Sequence, residues 1–178
     1  MNYFELYQMP VTLKPDASLV KKKFYELSRQ YHPDFFTNSS DEEQTNVLEK
    51  SSMVNQAYKI FQSEDATIKY VLQLKNLVEE EEKYNLAPGF LMEVMDINEQ
   101  LMDEESSNNA ELLSNSEIQT KTLLDQIYDE VKPIVENYKE GVTTDAEMLQ
   151  VKDYYYKKKY LHRILGKIVQ LRNIAPRF

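Results

Sequence analysis

The chain has 178 residues, 42% hydrophobic and 29% charged, which is enough for one or two cored domains and too ordered a composition for a disordered tail. It contains no cysteine and three glycines, which removes disulfides, thiol catalysis and thiolate metal sites and argues against a phosphate-cradling glycine loop. A net charge of −9 disfavours generic binding to nucleic acid or to an anionic membrane and points to a protein partner.

Proline punctuates the chain. Pro10, Pro15, Pro33, Pro88 and Pro176 fall between periodic segments and only Pro133 lies inside one. A short first helix is predicted over Tyr3 to Tyr7. Asp16 reads as the N-cap of a second, with Val20, Phe24, Leu27 and Tyr31 on one face and Pro33 as its stop. Ser40-Asp41-Glu42-Glu43 reads as a capping box opening a third helix, whose face is Val47, Ser51, Val54, Tyr58 and Phe61. Ser63 starts a fourth, carrying Ile68, Val71, Leu72 and Leu74.

Near residue 76 the character changes. Glu79 to Glu82 are four consecutive acids, Pro88-Gly89 follows, and the net charge is −1 over residues 1–75 against −8 over 76–178. The boundary predicted there separates domains 1–75 and 84–175, with 76–83 as an acidic connection. The second part reads as three helices: Phe90 to about Glu105; Glu111 to Glu140 with Leu124, Ile127, Val131, Ile134 and Tyr138 on one face; and Asp145 to about Ile174 with Leu149, Tyr156, Tyr160, Ile164 and Ile168. Ser106-Ser107-Asn108-Asn109 and Gly141-Val142-Thr143-Thr144 connect them, short enough to make neighbours antiparallel. With no β-alternating segment long enough for a sheet, the predicted class is all-α.

No apolar run approaches the ~20 residues of a membrane span. The N-terminus, Met1-Asn2-Tyr3-Phe4-Glu5-Leu6, lacks both a secretory n-region and the Arg-rich character of a transit peptide, so the cytoplasm is the expected location.

Tyr31-His32-Pro33-Asp34 is where the sequence stops being generic. Proline fixes φ and ends the helix, so His32 and Asp34 are held outward at little ordering cost, and the Asp34 carboxylate suits bidentate pairing with an arginine. At 100° per residue Lys22 and Arg29 point away from the Val20/Phe24/Leu27/Tyr31 stripe, with Lys21 and Tyr25 beside them and Glu26 diluting the positive face. A His-Asp pair is by itself usually a loop hydrogen bond, and basic residues on an amphipathic helix are usually its solvated side. An acid-base pair would need a pocket and a third group, which nothing nearby suggests, and the other histidine, His162, lies in the other half. With no glutamate at zinc-helix spacing, no metal is expected.

A tripeptide that closes a basic helix, opens a Thr/Asn/Ser loop and precedes a second amphipathic helix resembles the J-domain, from about Asn2 to Leu74. That resemblance implies an antiparallel helical hairpin with short flanking helices. It also implies that His32, Pro33, Asp34, Lys21, Lys22, Tyr25 and Arg29 dock on a DnaK/HscA-type chaperone and promote its ATP hydrolysis. Phe35-Phe36 departs from the basic residue that many J-domains place after the aspartate.

The fifth helix carries more apolar surface than one core needs. Phe90, Val94, Ile97 and Leu101 suffice to seal a three-helix bundle, yet Leu91, Met95 and Met102 form a second stripe about 100° away, with Met92 further round. Leu91, Met92 and Met95, edged by Asp96 and Glu99, suit an adaptable apolar contact with an acidic rim. The bland alternative is bundle core or interdomain packing; weak self-association would also suit the stripe. The run Glu79 to Glu82 and Lys157-Lys158-Lys159 read as solvated.

Over essentially the whole chain the sequence resembles the HscB-type co-chaperones of iron–sulfur cluster assembly. The residues that carry this are Tyr3-Phe4-Glu5-Leu6, Asn55-Gln56-Ala57-Tyr58, Tyr70-Val71-Leu72 and Phe90-Leu91-Met92-Glu93. The absence of cysteine agrees with the bacterial type, since some eukaryotic members carry a cysteine-based metal site. The resemblance implies a non-enzymatic, cofactor-free co-chaperone. Its client would be an IscU-like scaffold received by Leu91, Met92, Met95, Asp96 and Glu99, with an aromatic on the last helix aligning near Tyr156. A J-protein with another client, and a helical adaptor with a coincidental His-Pro-Asp, stand as alternatives.

Overall fold

The structure is a computed structural model that describes residues 1–79, 82–107 and 110–174, without the side chains of 104–107, 110 and 174. Seven α-helices and one 3-10 turn occur among the described residues, and no strand. They are α1 (Tyr3–Leu6), α2 (Ala17–Gln30), the turn Pro33–Phe36, α3 (Asp41–Phe61), α4 (Glu64–Leu74), α5 (Pro88–Ser107), α6 (Ala110–Asn137) and α7 (Asp145–Ile174). The chain forms two compact units, one of Met1–Val78 with Val135–Asp145, the other of Glu79–Ile134 with Ala146–Phe178.

In the first unit α2 and α3 form an antiparallel pair: Phe24 stacks on Tyr58 at 4.0 Å, and seven residues further along α2 the Tyr31 ring meets Lys50, 5.2 Å from its centroid. Caps set the helix starts. Asp16 accepts from the Leu19 amide at 2.6 Å, Ser40 from Glu43 at 3.3 Å and Ser63 from Ala66 at 3.3 Å. The box with both reciprocal bonds is at Asn2 and Glu5, 2.9 Å each way, where the sequence pattern had not been singled out. At the other ends Gln8 and Asn76 take positive φ (52° and 56°) as C′ residues of Schellman turns. Met9 donates back to the Phe4 carbonyl and Leu77 to the Leu72 carbonyl, each at 2.9 Å.

An aromatic cluster joins α1 to this pair. Phe4 meets Phe61 at 4.7 Å, Tyr7 meets Phe61 edge-on at 5.3 Å, and Tyr3 stacks on Tyr70 at 4.8 Å. The Tyr7 hydroxyl donates to the Val54 carbonyl at 2.8 Å within the core, and burial pushes its pKa up. Thr67, the buried polar residue of α4, donates to the Ile60 carbonyl at 2.9 Å. Ile68, Val71 and Leu72 are buried as predicted, but Leu74 is 39% exposed, because the face of this 11-residue helix turns past it. Val135–Asp145 belongs to this unit by its contacts: Lys14 pairs with Glu136 at 2.9 Å, and the Lys75 ammonium lies 5.7 Å from the centroid of the buried Tyr138 ring. Gly141, at φ 75°, makes the turn between α6 and α7.

The second unit is the three-helix assembly of α5, α6 and α7. Pro88 and Gly89, read as linker, open α5, since a proline at the first helical position gives up an amide that has no partner there. Ser106 and Ser107 also lie inside α5, while Asn108 and Asn109 fall outside the described residues, as do Glu80 and Glu81 of the acidic run and the predicted domain end at 175. Phe90, Val94, Ile97 and Leu101 are all buried, as the first stripe predicts. On α6 the residues buried in this unit are Leu113, Ser116, Thr120, Leu123, Ile127 and Val131; Leu124 and Ile134 are only partly buried, each beside a buried neighbour, Leu123 and Val135, of which Val135 belongs to the first unit. On α7 Met148, Val151, Tyr154, Leu161, Ile164 and Ile168 are buried and Leu149 is half exposed; over thirty residues the buried side drifts round the helix, which one fixed stripe misses. Tyr128 against Tyr154 (5.9 Å) and Glu117 paired with Arg172 (2.6 Å) set α6 and α7 antiparallel.

Truncation at Ile68 is expected to cost about 2–5 kcal/mol, whereas Leu74→Ala is expected to stay within ~1 kcal/mol. Urea unfolding of Ile68→Ala and Leu74→Ala checks the difference; equal losses would mean that α4 is seated otherwise than described.

Candidate functional site

The first candidate surface is built by the end of α2. Tyr31 closes the helix by donating to the Leu27 carbonyl at 2.9 Å, and the chain then turns through Pro33–Phe36. His32 caps this turn: its Nδ1 accepts from the Asp34 amide at 3.3 Å and lies 3.7 Å from the Asp34 carboxylate. An accepting Nδ1 leaves the proton of the neutral ring on Nε2. The side chains of His32 and Asp34 are 51% and 82% exposed, so both are presented to solvent rather than enclosed in a pocket.

Lys21, Lys22, Tyr25 and Arg29 are likewise exposed on α2, opposite the buried Val20 and Leu27. Lys23, half-buried, is held at the edge of this face by Gln8 (3.3 Å) and Glu26 (3.8 Å), which confines the dilution by Glu26 to that edge. Phe35 does not tuck under the loop. It is 69% exposed, with its ring 5.6 Å from that of His32.

The second candidate surface is on α5. Leu91, Met92 and Met95 are 42%, 70% and 53% exposed, and Met102 is exposed as well, so the second stripe is not bundle core. Asp96 and Glu99 are exposed beside it. The flank toward α7 is held by Phe90 against Tyr160 (6.0 Å) and by the Asn98 amide donating to the Tyr160 hydroxyl at 3.2 Å.

Tyr156 sits differently from the expectation of an open aromatic anchor. Its ring stacks flat on Tyr84, at 4.4 Å and 7°, and its hydroxyl donates to Glu82 at 3.5 Å. Glu82 also accepts from the Lys152 ammonium at 2.5 Å, and the Tyr84 hydroxyl donates to Asp153 at 2.8 Å. Glu82 is therefore paired rather than solvated. Lys157 and Lys158 are likewise only partly exposed: Lys157 bonds Asp153 at 2.7 Å and lies over the Phe90 ring, Lys158 lies over Tyr154, and Lys159 alone of the three is exposed. Tyr154 is buried, which leaves Tyr155 and Tyr156 as the half-exposed aromatics of that run. Tyr84 was not singled out in the sequence. The signal was there, an aromatic alone in a polar connection.

The lysine bond holds the Glu82 carboxyl below its usual 4.5, and burial, reinforced by the bond to Asp153 and by nearby carboxylates, pushes Tyr84 up to about 12. Among the described residues no cluster of three or more His, Asp or Glu is placed to hold a metal ion, and no helix is long and apolar enough to cross a membrane.

Two exposed faces on an all-helical chain, one of them a basic helix ending in His-Pro-Asp, are the candidate surfaces that the described residues offer. Comparison with known proteins gives the family. A profile described as the HSCB C-terminal oligomerisation domain matches residues 86–169. The co-chaperone protein HscB of Proteus mirabilis is 31% identical over 147 residues, covering 82% of this chain and 85% of that protein. An HscB homolog of Vibrio atlanticus is 33% identical over 62% of this chain and 66% of its own. Among solved structures, human HscB aligns with a TM-score of 0.74 and 26% identity over 98% of this chain and 83% of that one. HscB from Vibrio cholerae shares the fold, with a TM-score of 0.69 and 22% identity over 97% and 98%. The chain belongs to the HscB co-chaperone family, whose members are co-chaperones and not enzymes.

The raised pKa of Tyr84 means that the stability its hydroxyl contributes is full below pH 10 and is lost as pH rises toward 12. Glu82, with its pKa lowered, contributes above pH 4.5 and loses its contribution as the pH falls below that. Tyrosinate absorbance during an alkaline titration is expected to show a tyrosine ionising near pH 12 that Tyr84→Phe removes. An unchanged titration in that variant would contradict the stacked, bonded position of Tyr84.

Proposed function

We propose that this chain is a cytoplasmic co-chaperone that stimulates the ATPase of a DnaK/HscA-type chaperone and delivers to it an IscU-like iron–sulfur scaffold protein. The observation that carries the reading is the His32-Pro33-Asp34 turn, capped, exposed and set at the end of a helix whose solvent side holds Lys21, Lys22, Tyr25 and Arg29. In this reading residues 1–75 work as the J-domain. The cationic side of α2 steers the encounter with an acidic patch, and Asp34 pairs with an arginine of the ATPase at a position fixed by Pro33. Residues 84–175 carry the client, on Leu91, Met92, Met95, Asp96, Glu99 and Tyr156. Holding client and ATPase on one chain raises the local client concentration at the chaperone, while the docked J-domain favours its tight-binding state.

Asp34→Asn keeps the size of the side chain and removes its charge. Single-turnover ATP hydrolysis by the partner chaperone is expected to lose its stimulation by at least about 20-fold, with scaffold binding unchanged. Leu91→Ala with Met95→Ala is expected to weaken scaffold binding by about 10-fold or more and to spare stimulation without scaffold. Wild-type stimulation by Asp34→Asn would sink the J-domain mechanism; normal stimulation with no scaffold binding in any variant would leave a J-protein for another client. The description of the matched profile as an oligomerisation domain, together with the exposed α5 stripe, supports a second reading in which that stripe pairs two copies of the chain. Sedimentation that shifts to monomer on Leu91→Ala with Met95→Ala would favour it.

A further inference from the structure

The connection leading into α5 covers Tyr156, the aromatic that the client reading places on the α7 flank. Lys157 lies over the Phe90 ring at 5.5 Å, Phe90 meets Tyr160, and Asn98 bonds the Tyr160 hydroxyl, so the starts of α5 and of the Tyr156–Tyr160 turn run side by side. Tyr156 precedes Tyr160 by one helical turn and Leu91 follows Phe90, which puts both at the same end of the α5/α7 flank. Leu91, Met92 and Met95 stand open to solvent there, whereas Tyr156 has one ring face covered by Tyr84 and its hydroxyl given to Glu82.

We propose that Glu82 to Tyr84 form an autoinhibitory strap over Tyr156, which the scaffold protein must displace to use the whole α5/α7 face. This rests on the client reading above and adds a regulation to it. The strap is built to open. It has no helical hydrogen bonds of its own, and it is held by the Glu82 bonds to Lys152 and to the Tyr156 hydroxyl, by the Tyr84 bond to Asp153, by the Tyr84–Tyr156 stack and by the Lys152 ammonium over the Tyr84 ring. The Glu82–Lys152 pair is largely shielded, its side chains 24% and 13% exposed, but it is anchored on an irregular segment, which opens locally at far less cost than a helix of the core. An aromatic side chain of a partner can replace the Tyr84 ring on Tyr156 stack for stack, while Lys152 returns to water and Asp153 keeps its bond to Lys157. Closure lowers the fraction of molecules competent to bind, and the apparent dissociation constant rises by that fraction.

Calorimetric binding of an IscU-type scaffold to the full chain tests the strap. Removing the Tyr84 ring removes a stack of ~0.5–1.5 kcal/mol, so Tyr84→Ala is expected to tighten scaffold binding about 3- to 10-fold, and Glu82→Gln to tighten it less. Since the chain has no cysteine, Glu82→Cys with Lys152→Cys, joined by a short bismaleimide, gives a strap locked shut. It is expected to lose at least about 10-fold in affinity against the same variant left unlinked. Unchanged or weaker binding by Tyr84→Ala in a variant with native circular dichroism, or full binding by the locked form, overturns the proposal. Binding that falls with Leu91→Ala and Met95→Ala but ignores the strap variants removes the strap alone. Binding indifferent to all of them removes the client reading and the strap with it.

Discussion

A proline has no amide hydrogen to give, and the candidate site of the first unit is arranged around that deficit at residue 33. Helix α2 cannot continue through it, so Tyr31 makes the last backbone bond and the chain leaves at a fixed angle. The hydrogen bond that would have been helical is replaced by one from the Asp34 amide to the His32 ring, and the two flanking side chains are thereby held outward without being buried. Everything the α2/α3 pair does for the turn is support. Phe24 on Tyr58 and Lys50 over Tyr31 keep the helix from rolling, so that the same four residues stay on its open side. In the function proposed for it, a turn that is ordered before it meets a partner loses little entropy on docking, which is the physical advantage that a proline between histidine and aspartate would give.

The second unit solves a different problem. A three-helix core takes one stripe from each helix, and α5 has two. Methionine suits the surplus, since its flexible thioether side chain adapts to a partner's shape and is less costly to expose than a branched aliphatic or an aromatic of like size. Where the surplus meets α7, the chain supplies its own cover in Tyr84 and Glu82.

Much of this architecture is legible in the sequence. The helix starts at Asp16, Ser40 and Ser63 and the α5 core stripe each rest on one local rule, and each is where that rule puts it. The exposed side of α2 follows from the same periodicity. What escaped has more than one cause. Leu124 against Leu123, Ile134 against Val135, and the exposed Leu149 are errors of phase on helices of 28 and 30 residues, where adjacent apolar residues compete for the core and the helix drifts relative to any fixed stripe. The sequence pattern assigns Tyr138 to the bundle face, but the residue follows the end of α6 at Asn137 and belongs by its contacts to the first unit, beside Lys75. Glu82, Lys157 and Lys158 escaped because charge in sequence reads as solvation, while their partners, Lys152, Asp153, Phe90 and Tyr154, are supplied only by the tertiary fold.

The four tyrosines near the junction show how one residue type is put to separate uses by environment alone. Tyr154 is buried against Tyr128 and serves the core. Tyr160 accepts from Asn98 and spaces α5 from α7. Tyr156 and Tyr84 are stacked on one another, with hydroxyls directed at carboxylates of opposite origin, one on the connection and one on the helix. Because each ring lends its hydroxyl to the other's segment, the pair opens as a unit: lifting Tyr84 breaks its bond to Asp153 and takes Glu82 away from Tyr156 and Lys152 together. An irregular connection held by reciprocal bonds is thus cooperative over three residues without being stable in the manner of a core. That combination gives a short segment two states rather than a continuum of loosened ones.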